Sequence, residues 1–319
     1  MPHPYAALTP EVVLDACASL DLRPDGRLLA LNSYENRVYQ VWLEDDTSVV
    51  AKFYRPGRWS DAQIEEEHDF ARELADREVP VVAPLRSGVF RQYRFAVYPR
   101  RGGRSPNLDD AKVLEWIGRF IGRIHAIGET RPFGHRETLG VGSFGHDVRA
   151  YLLEHDFVPA DLLPSWEAVT EQALSRVAEA FSLPYETLRL HGDCHPGNIL
   201  WTDQGPHFVD LDDSRMGPAM QDLWMLLSGD RASMTKQFSD VIAGYELFRP
   251  FDRSELRLLE PLRTLRLIHY SGWIARRWDD PAFPAAFPWF GTQRYWQDRI
   301  LELKEQIALM EEEPIGAAR

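Results

Sequence analysis

The sequence predicts an α+β fold in two lobes, a small lobe rich in antiparallel sheet and a larger, mainly helical lobe. Three observations support this prediction. Two β-rich segments, 37–43 and 48–54, flank a short acidic turn; a Pro- and Gly-rich stretch covers 99–106; and beyond it apolar residues recur at helical spacing. We therefore divide the chain into an N-terminal lobe, residues 1–100, and a C-terminal lobe, residues 101–319.

A helix is predicted directly after the β-rich pair, which itself is typical of an antiparallel hairpin. Ser60 and Gln63 have the spacing of a capping box, so we expect the helix to begin at Ser60. Glu67 falls beside its inner face, and a buried carboxylate requires a cationic partner, for which Lys52 on the second strand is the candidate. The apolar stripe of the helix consists of Ile64, His68, Ala71, Leu74 and Ala75.

Further elements are predicted on both sides of the Pro- and Gly-rich stretch. His125 lies at the end of an amphipathic helix and is interpreted as a core histidine with satisfied hydrogen bonds. We interpret the aromatic residues between Trp273 and Trp296 as packing rather than as the lining of a substrate groove. The predicted strands are 79–89 and 94–98, and the predicted helical segments are 113–124, 165–180, 220–248 and 254–278.

Composition and charge exclude several classes of function. Lys and Arg total 36 against 49 Asp and Glu, and the net charge of -13 disfavours nucleic acid and anionic membranes as partners. The two cysteines, Cys17 and Cys194, cannot form a disulfide framework, and no apolar run approaches the ~18 residues of a membrane span. The segment from Met1 to Tyr5 lacks the pattern of a signal peptide, so we expect a cytoplasmic protein.

The residues that carry chemistry are concentrated in one segment. Asp193 and Asn198 lie in a polar, Gly-containing loop between two apolar strands, and a third short strand, 207–211, follows the turn 203–206 and contains Asp210. Two strands joined by a tight turn bring Asn198 and Asp210 to the same end of one hairpin, with Asp193 on the adjacent loop. Carboxylate and amide oxygens are ligands that Mg²⁺ accepts, and Lys52 supplies a cation for nucleotide phosphates. The pattern therefore indicates phosphoryl transfer from ATP with Mg²⁺ as cofactor.

Two motifs carry a resemblance to a known family. His191-Gly192-Asp193-x-x-x-x-Asn198 resembles the catalytic loop of the aminoglycoside phosphotransferase and choline kinase-like enzymes, which are relatives of the protein kinases, and Val209-Asp210-Leu211-Asp212-Asp213 resembles their metal-binding strand end. The resemblance implies a protein-kinase-like fold whose first lobe binds the nucleotide. Similarity to one bacterial branch of the family covers nearly the whole chain through the runs 32–39, 52–56, 191–201, 210–227, 276–278 and 280–284.

The resemblance implies catalytic and metal-binding roles. Asp193 would orient the acceptor hydroxyl and accept its proton. Asn198 and Asp210 would bind Mg²⁺, and Asp212 is a further candidate ligand. Lys52 would hold the α- and β-phosphates of ATP and pair with Glu67, with Glu66 as the alternative partner.

Other positions would border the nucleotide or support the loop. The resemblance implies that Ser33 lies over the ATP phosphates and that Val97 and Tyr98 form a hinge against the adenine. Asp222 would support the catalytic loop from a helix. The chain has no G-x-G-x-x-G loop before the first strand. Gly192 replaces the arginine of the protein-kinase catalytic loop, so the sequence offers no obvious arginine that would bind a phosphorylated activation loop.

The bacterial branch implies a serine/threonine protein kinase that phosphorylates proteins, itself included, in a stress response. The expected partners are ATP and protein substrates with Ser or Thr acceptors, without nucleic acid or membrane, and the expected state is a monomer. Two alternatives remain open. The first is a kinase of small hydroxyl compounds such as aminoglycosides, choline or homoserine, because the same residues serve such enzymes. The second is a nucleotide-binding scaffold without turnover.

Overall fold

The computed structural model describes residues 3–316. Met1 and Pro2, on which the expectation about a signal peptide partly rests, lie outside the described residues, as do the extreme ends of both predicted lobes. The helices are α1 (Pro10–Ala18), α2 (Asp61–Asp76), α3 (Ala111–Gly128), α4 (Asp147–Glu154), α5 (Leu163–Phe181), α6 (Met220–Leu223), α7 (Arg231–Tyr245), α8 (Leu259–Ala275), α9 (Ala282–Ala286) and α10 (Gln293–Met310). The strands are β1 (Pro24–Leu31), β2 (Arg37–Leu43), β3 (Ser48–Phe53), β4 (Arg86–Phe90), β5 (Tyr93–Pro99), β6 (Leu188–Arg189), β7 (Ile199–Thr202), β8 (Gly205–Phe208) and β9 (Met216–Gly217).

The chain divides into two compact units. The first contains the described residues up to Pro106 together with Phe133–Arg136 and Pro196–Ser214, and the second contains the remainder. The predicted α+β class is confirmed, because the first unit contains a five-stranded antiparallel sheet and the second is mainly helical. The division into lobes at residues 100 and 101 stays a prediction.

The sheet of the first unit has the strand order β1-β2-β3-β5-β4. The predicted hairpin is confirmed: β2 pairs with β3 from Arg37 opposite Phe53 to Trp42 opposite Ser48. The prediction of a strand over 79–89 is wrong in its first part, because only Arg86–Phe90 forms β4. Pro80 and Pro84 lack the backbone N–H groups that a strand ladder needs.

Helix α2 begins as the sequence predicts. The Ser60 hydroxyl accepts from the Gln63 backbone N–H, and the Gln63 side chain accepts from the Ser60 N–H, which completes the capping box. Glu67 lies on the buried face, with 1% of its surface exposed. Phe70 is a buried position that the predicted stripe omitted, whereas Ala75 is only half-buried.

The second unit is assembled mainly from packed helices. Helix α3 packs on α7 at close range, since a Cβ atom at Gly118 would collide with the backbone carbonyl of Val241. Trp166 on α5 meets Trp296 on α10 edge to face, with ring centroids 5.1 Å apart. The interpretation of His125 is confirmed, because this fully buried ring bonds to the Tyr245 hydroxyl and to Asp222.

Both thiols, Cys17 and Cys194, are free and buried. Burial raises the pKa of Cys17 to about 12 and that of Cys194 well above its usual range, so neither is poised as a thiolate nucleophile. Within residues 3–316, no helix combines the length and the apolar character required to cross a membrane.

Candidate active site

The hairpin of β7 and β8 brings Asn198 and Asp210 to one end, as predicted. Ile199 pairs with Phe208, and the Val209 N–H donates to the Asn198 carbonyl at 3.0 Å. Asp210 then adopts a left-handed backbone conformation, with φ of 61°, which is uncommon for a residue other than glycine. Such a conformation costs about 1–3 kcal/mol and persists only where its surroundings enforce it.

Lys52 on β3 lies among the carboxylates that follow this hairpin. Its ammonium is 2.5 Å from Asp212 Oδ1 and 3.3 Å from Asp210 Oδ1. The rings of Tyr54 and Tyr98 each have their centroid 5.2 Å from the same nitrogen. Burial alone would lower the pKa of Lys52, but the surrounding negative charges, led by Asp212, raise it well above its ordinary value.

Asp212 is the buried centre of this charge cluster. Its carboxylate accepts from Lys52 and from the Asn36 side-chain amide, and Arg58 Nη1 lies 3.8 Å from Oδ2. Burial opposes ionisation, but the charges of Lys52 and Arg58 outweigh it, and the pKa of Asp212 is lowered. Asp213, the next carboxylate, pairs with Arg58 at 2.8 Å. Asp212, in the sequence only a candidate metal ligand, is the main partner of Lys52 in the structure.

Asp210 differs from Asp212 in its exposure. Its side chain is 52% exposed, and within the described part of the chain its carboxylate accepts only from Lys52. Surrounding protein atoms partly desolvate the carboxylate and raise the pKa of Asp210; Lys52 opposes this effect, whereas Asp212 and Asp213 reinforce it. A cation at this position would offset the electrostatic repulsion that Asp212 and Asp213 exert on the Asp210 carboxylate.

The donor set at the hairpin end fits a hard divalent cation. Asp210 offers a half-exposed carboxylate, and Asn198, at the same end of the hairpin, offers an amide oxygen. No three Asp, Glu, His or Cys side chains form a metal-binding group among residues 3–316. A cation here would have Asp210 and Asn198 as protein ligands, with phosphate and water completing its coordination, as is usual for Mg²⁺.

Glu67 does not form the direct ion pair with Lys52 that the sequence suggested. It accepts from the Tyr54 hydroxyl at 3.4 Å, and burial, only partly offset by Lys52, raises the pKa of Glu67 to about 7. Asp212 is the stronger partner because its carboxylate is ionised and lies closer. Glu66, the alternative, instead accepts three backbone N–H groups from residues 134–136.

The predicted hinge residues lie on β5 in the same unit. Val97 is fully buried, and the Tyr98 hydroxyl bonds to the Tyr54 hydroxyl at 2.8 Å. Tyr54 also lies 2.7 Å from His68, whose pKa falls to about 3 because the ring is buried. The side chains of Tyr54, Tyr98 and His68 thus form a neutral, hydrogen-bonded group, and the two tyrosine rings lie next to Lys52.

Ser33 lies in the turn before β2. Its hydroxyl donates to the Asn36 carbonyl at 3.0 Å, and the side chain of Asn36 in turn binds Asp212 and accepts from the Arg55 N–H. The turn is thereby fixed to the charge cluster.

Arg136 is a structural residue that the sequence analysis missed. Its guanidinium donates to the Asp212 and Ser214 carbonyls at 2.5 and 3.1 Å and to the Gln63 carbonyl at 2.8 Å. Because Glu66 on α2 holds the backbone of Arg136, the segment 133–136 fastens α2 to the loop that carries Asp212. The sequence separation of 76 residues between Arg136 and Asp212 left no local signal for this contact.

Asp193 belongs to the second unit, where its loop is held by Asp222. The two carboxylate oxygens of Asp222 accept the backbone N–H groups of His191 and Gly192, each at 2.8 Å, which confirms the predicted support. The Gln221 amide donates to the Gly192 carbonyl at 2.9 Å. Burial would raise the pKa of Asp222, but the hydrogen bond from His125 and the other partners lower it, so this residue is ionised.

The side chain of Asp193 is bound by a residue that the sequence analysis did not single out. Arg266 Nη1 on α8 lies 2.6 Å from Asp193 Oδ1, and His195 Nε2 lies 3.6 Å from Oδ2. Asp193 retains 18% side-chain exposure and Arg266 37%. Both groups are therefore accessible to a ligand.

Comparisons with known proteins agree with the fold and the motifs. The model of the phosphotransferase enzyme family matches residues 27–259. Stress response kinase A of Salmonella choleraesuis (strain SC-B67) is 45% identical over 98% of this chain and 96% of the relative. A protein of Salmonella typhimurium (strain LT2) named serine/threonine protein kinase RdoA shows the same identity and coverage. Among solved structures, the amicoumacin kinase hAmiN in complex with AMP-PNP, Ca²⁺ and Ami has a TM-score of 0.72 at 18% identity, covering 97% of each chain.

Proposed function

Since the chain belongs to the phosphotransferase enzyme family, we propose that it transfers the γ-phosphoryl group of ATP to Ser and Thr hydroxyls of proteins, itself included. The observation that carries this acceptor class is the 45% identity, over 98% of the chain, to a relative named as a serine/threonine protein kinase. The names of other relatives at 42–45% identity support a role in a bacterial stress response. We place the activity in the cytoplasm and expect a monomer.

The proposed reaction assigns one task to each charged group. Asp193 orients the acceptor hydroxyl and takes its proton as the new oxygen–phosphorus bond forms, while ADP leaves with the electron pair of the broken bond. Lys52 binds the α- and β-phosphates, and Asp212 keeps its ammonium charged and in place. Asn198 and Asp210 are the proposed ligands of Mg²⁺, which neutralises phosphate charge when it is bound.

Three further residues are proposed to border the nucleotide, and a fourth is proposed to support Lys52. Ser33 would lie over the phosphates, in the turn that Asn36 ties to Asp212. Val97 and Tyr98 would border the adenine, and Glu67 would support Lys52 through the Tyr54 hydroxyl rather than by direct contact. The complex of the amicoumacin kinase with AMP-PNP and Ca²⁺ supports a nucleotide and a divalent cation as ligands of this fold.

A small hydroxyl compound is the second candidate acceptor, because the structural relative bound to Ami is a small-molecule kinase by name. The test is to supply γ-labelled ATP and Mg²⁺ to the protein alone, with a generic protein substrate, and with a panel of aminoglycosides, choline and homoserine. Label recovered as phosphoserine or phosphothreonine is the expected result. Label found only on a small compound would replace the protein-kinase proposal with the second candidate.

A further inference from the structure

Helix α8 carries two arginines, Arg263, which pairs with Glu260 on the same helix, and Arg266; Arg276 and Arg277 follow its end. Between residues 261 and 278 the chain has four arginines and no Asp or Glu, although the net charge of the whole is -13. The fully buried Ile268 and the nearly buried Leu265 anchor the inner face of the helix in the core. A half-buried stripe at helical spacing, here called the α8 stripe, consists of Arg266, His269, Tyr270 and Trp273.

The α8 stripe begins at the proposed catalytic carboxylate. Arg266 Nη1 lies 2.6 Å from Asp193 Oδ1, and within residues 3–316 that carboxylate is the one acceptor of the Arg266 guanidinium. An arginine that is 37% exposed and bonded to a single side chain contributes little to the scaffold. The position of Arg266 is better explained by a role in binding the substrate that approaches Asp193.

Aromatic rings follow Arg266 along the rest of this face, and Trp273 also packs on the buried rings of Phe283 and Phe287. His269 stacks on Phe144 with centroids 4.1 Å apart, and Arg215 lies 4.6 Å from the same Phe144 ring. Tyr270 stacks on Trp273 at 5.8 Å, and Arg277 lies 5.4 Å from the Trp273 ring. Arg215 is itself buried, so the exposed positive charge of the α8 stripe lies on Arg266, which is complementary to a chain that carries carboxylates.

We propose that the α8 stripe binds the acceptor segment of a protein substrate with Asp or Glu close to the phosphorylated Ser or Thr, and that Arg266 determines this specificity. The inference rests on the proposed function and names its substrate class. When the acceptor hydroxyl approaches Asp193, a neighbouring carboxylate can take up the Arg266 guanidinium, whereas a cationic side chain would be repelled. From Arg266 to Trp273 the helix advances about 10 Å, which an extended peptide spans in about three residues.

The test uses three peptides that share one Ser and differ only in whether the flanking three positions carry Asp, Ala or Lys. The wild type is expected to show kcat/KM about tenfold higher for the Asp peptide than for the Lys peptide, the factor expected for one charge-assisted hydrogen bond. Arg266→Gln should abolish that ratio, and Arg266→Lys should restore part of it. The matched control is Arg294→Gln on α10, whose side chain is 90% exposed and which changes the net charge equally; it should keep the ratio.

Three results would overturn the inference. The first is a wild type without any charge preference, and the second is a wild type that favours the Lys peptide. The third is an Arg266→Gln variant in which all three rates fall by one common factor, which would make Arg266 only a positioning residue for Asp193. In these cases peptide phosphorylation itself persists, so the proposed function stands. If no peptide or protein accepts phosphate while a small hydroxyl compound does, both the inference and the proposed function fail.

Discussion

Lys52 Nζ lies 2.5 Å from Asp212 Oδ1, and the two side chains are only 9% and 4% exposed. Neither charge is therefore stabilised mainly by water, and each depends on the other. Three carboxylates follow β8, and the arrangement separates two of them: Asp212 pairs with Lys52, and the half-exposed Asp210 remains accessible for a cation. The structure thus assigns different chemistry to two aspartates only two residues apart.

The first prediction concerns the cost of breaking this pair. Asp212→Asn should lower the free energy of unfolding by about 3–5 kcal/mol, because it leaves the buried Lys52 ammonium without its main counter-charge. Urea denaturation measures the effect. Asp213→Asn is the control, since Asp213 pairs with Arg58 at 2.8 Å but its side chain is 29% exposed, and it should cost only about 1 kcal/mol. Equal costs would show that Asp212 is not the structural partner of Lys52.

The second prediction separates activity from stability at Asp210. Asp210→Asn should change the free energy of unfolding by less than about 1 kcal/mol, because the side chain is 52% exposed. Phosphoryl transfer should fall at least about a hundredfold, and half-saturation should require more Mg²⁺, because a charged ligand is lost. Rates measured across a Mg²⁺ titration test both statements, and an unchanged Mg²⁺ requirement would remove Asp210 from the proposed metal site.

Local sequence patterns predicted the hairpin and its consequence for Asn198 and Asp210. Two short apolar strands joined by a tight turn have few alternative arrangements, so the end shared by these residues could be foreseen, although Gly205 and Pro206, predicted as part of the turn, belong to β8. The capping box at Ser60 is local in the same sense, and the helix begins there. Both features depend on nearest neighbours in the chain, which is why the sequence predicts them.

The partner of Lys52 could not be predicted in the same way. Asp212 reaches Lys52 because Asp210 adopts a left-handed backbone and Leu211–Asp213 forms a tight helical turn, which residue propensities do not favour. The contact between Arg266 and Asp193 spans 73 residues and depends on how α8 packs in its unit. Helix α1 and strand β1 were also missed, β1 because Gly26 and an irregular register interrupt its alternation.

The third prediction concerns Asp222, which positions the loop of Asp193. Asp222→Asn should lose one of the two backbone hydrogen bonds to His191 and Gly192, at a cost of about 1.5–3 kcal/mol in the free energy of unfolding. Because Asp193 is then less well oriented, kcat should fall about 10–100-fold. The KM for ATP should stay nearly constant, since Lys52 and Asp212 are unaffected. A large rise in that KM with unchanged kcat would contradict the positioning role.

The fourth prediction is a pH dependence of stability at Glu255, a residue of the second unit. Glu255 is buried, accepts from the Met220 N–H at 2.9 Å, and has its pKa raised to about 7 by burial. Because the folded-state pKa exceeds the unfolded value, the favourable contribution is complete below about pH 4.5 and is lost as pH rises through 7.

Glu255→Gln keeps the hydrogen-bond acceptor and removes the ionisation. The stability of the wild type relative to this variant should therefore decline by up to about 3 kcal/mol between pH 4.5 and pH 8. Denaturant midpoints of the two proteins across this range measure the difference. A difference that stays constant with pH would contradict the assignment of a protonated Glu255.

The most direct test of the account is the initial rate of phosphate transfer from γ-labelled ATP with Mg²⁺ by the wild type and by Asp193→Asn. The variant keeps an amide of the same shape on the loop held by Asp222 but cannot accept the hydroxyl proton, so its rate should fall at least about a hundredfold at unchanged ATP affinity. Asp203→Asn, in the exposed turn between β7 and β8, makes the same substitution and should transfer phosphate at the wild-type rate. Full transfer activity in a folded Asp193→Asn protein would contradict the central claim that Asp193 is the catalytic carboxylate.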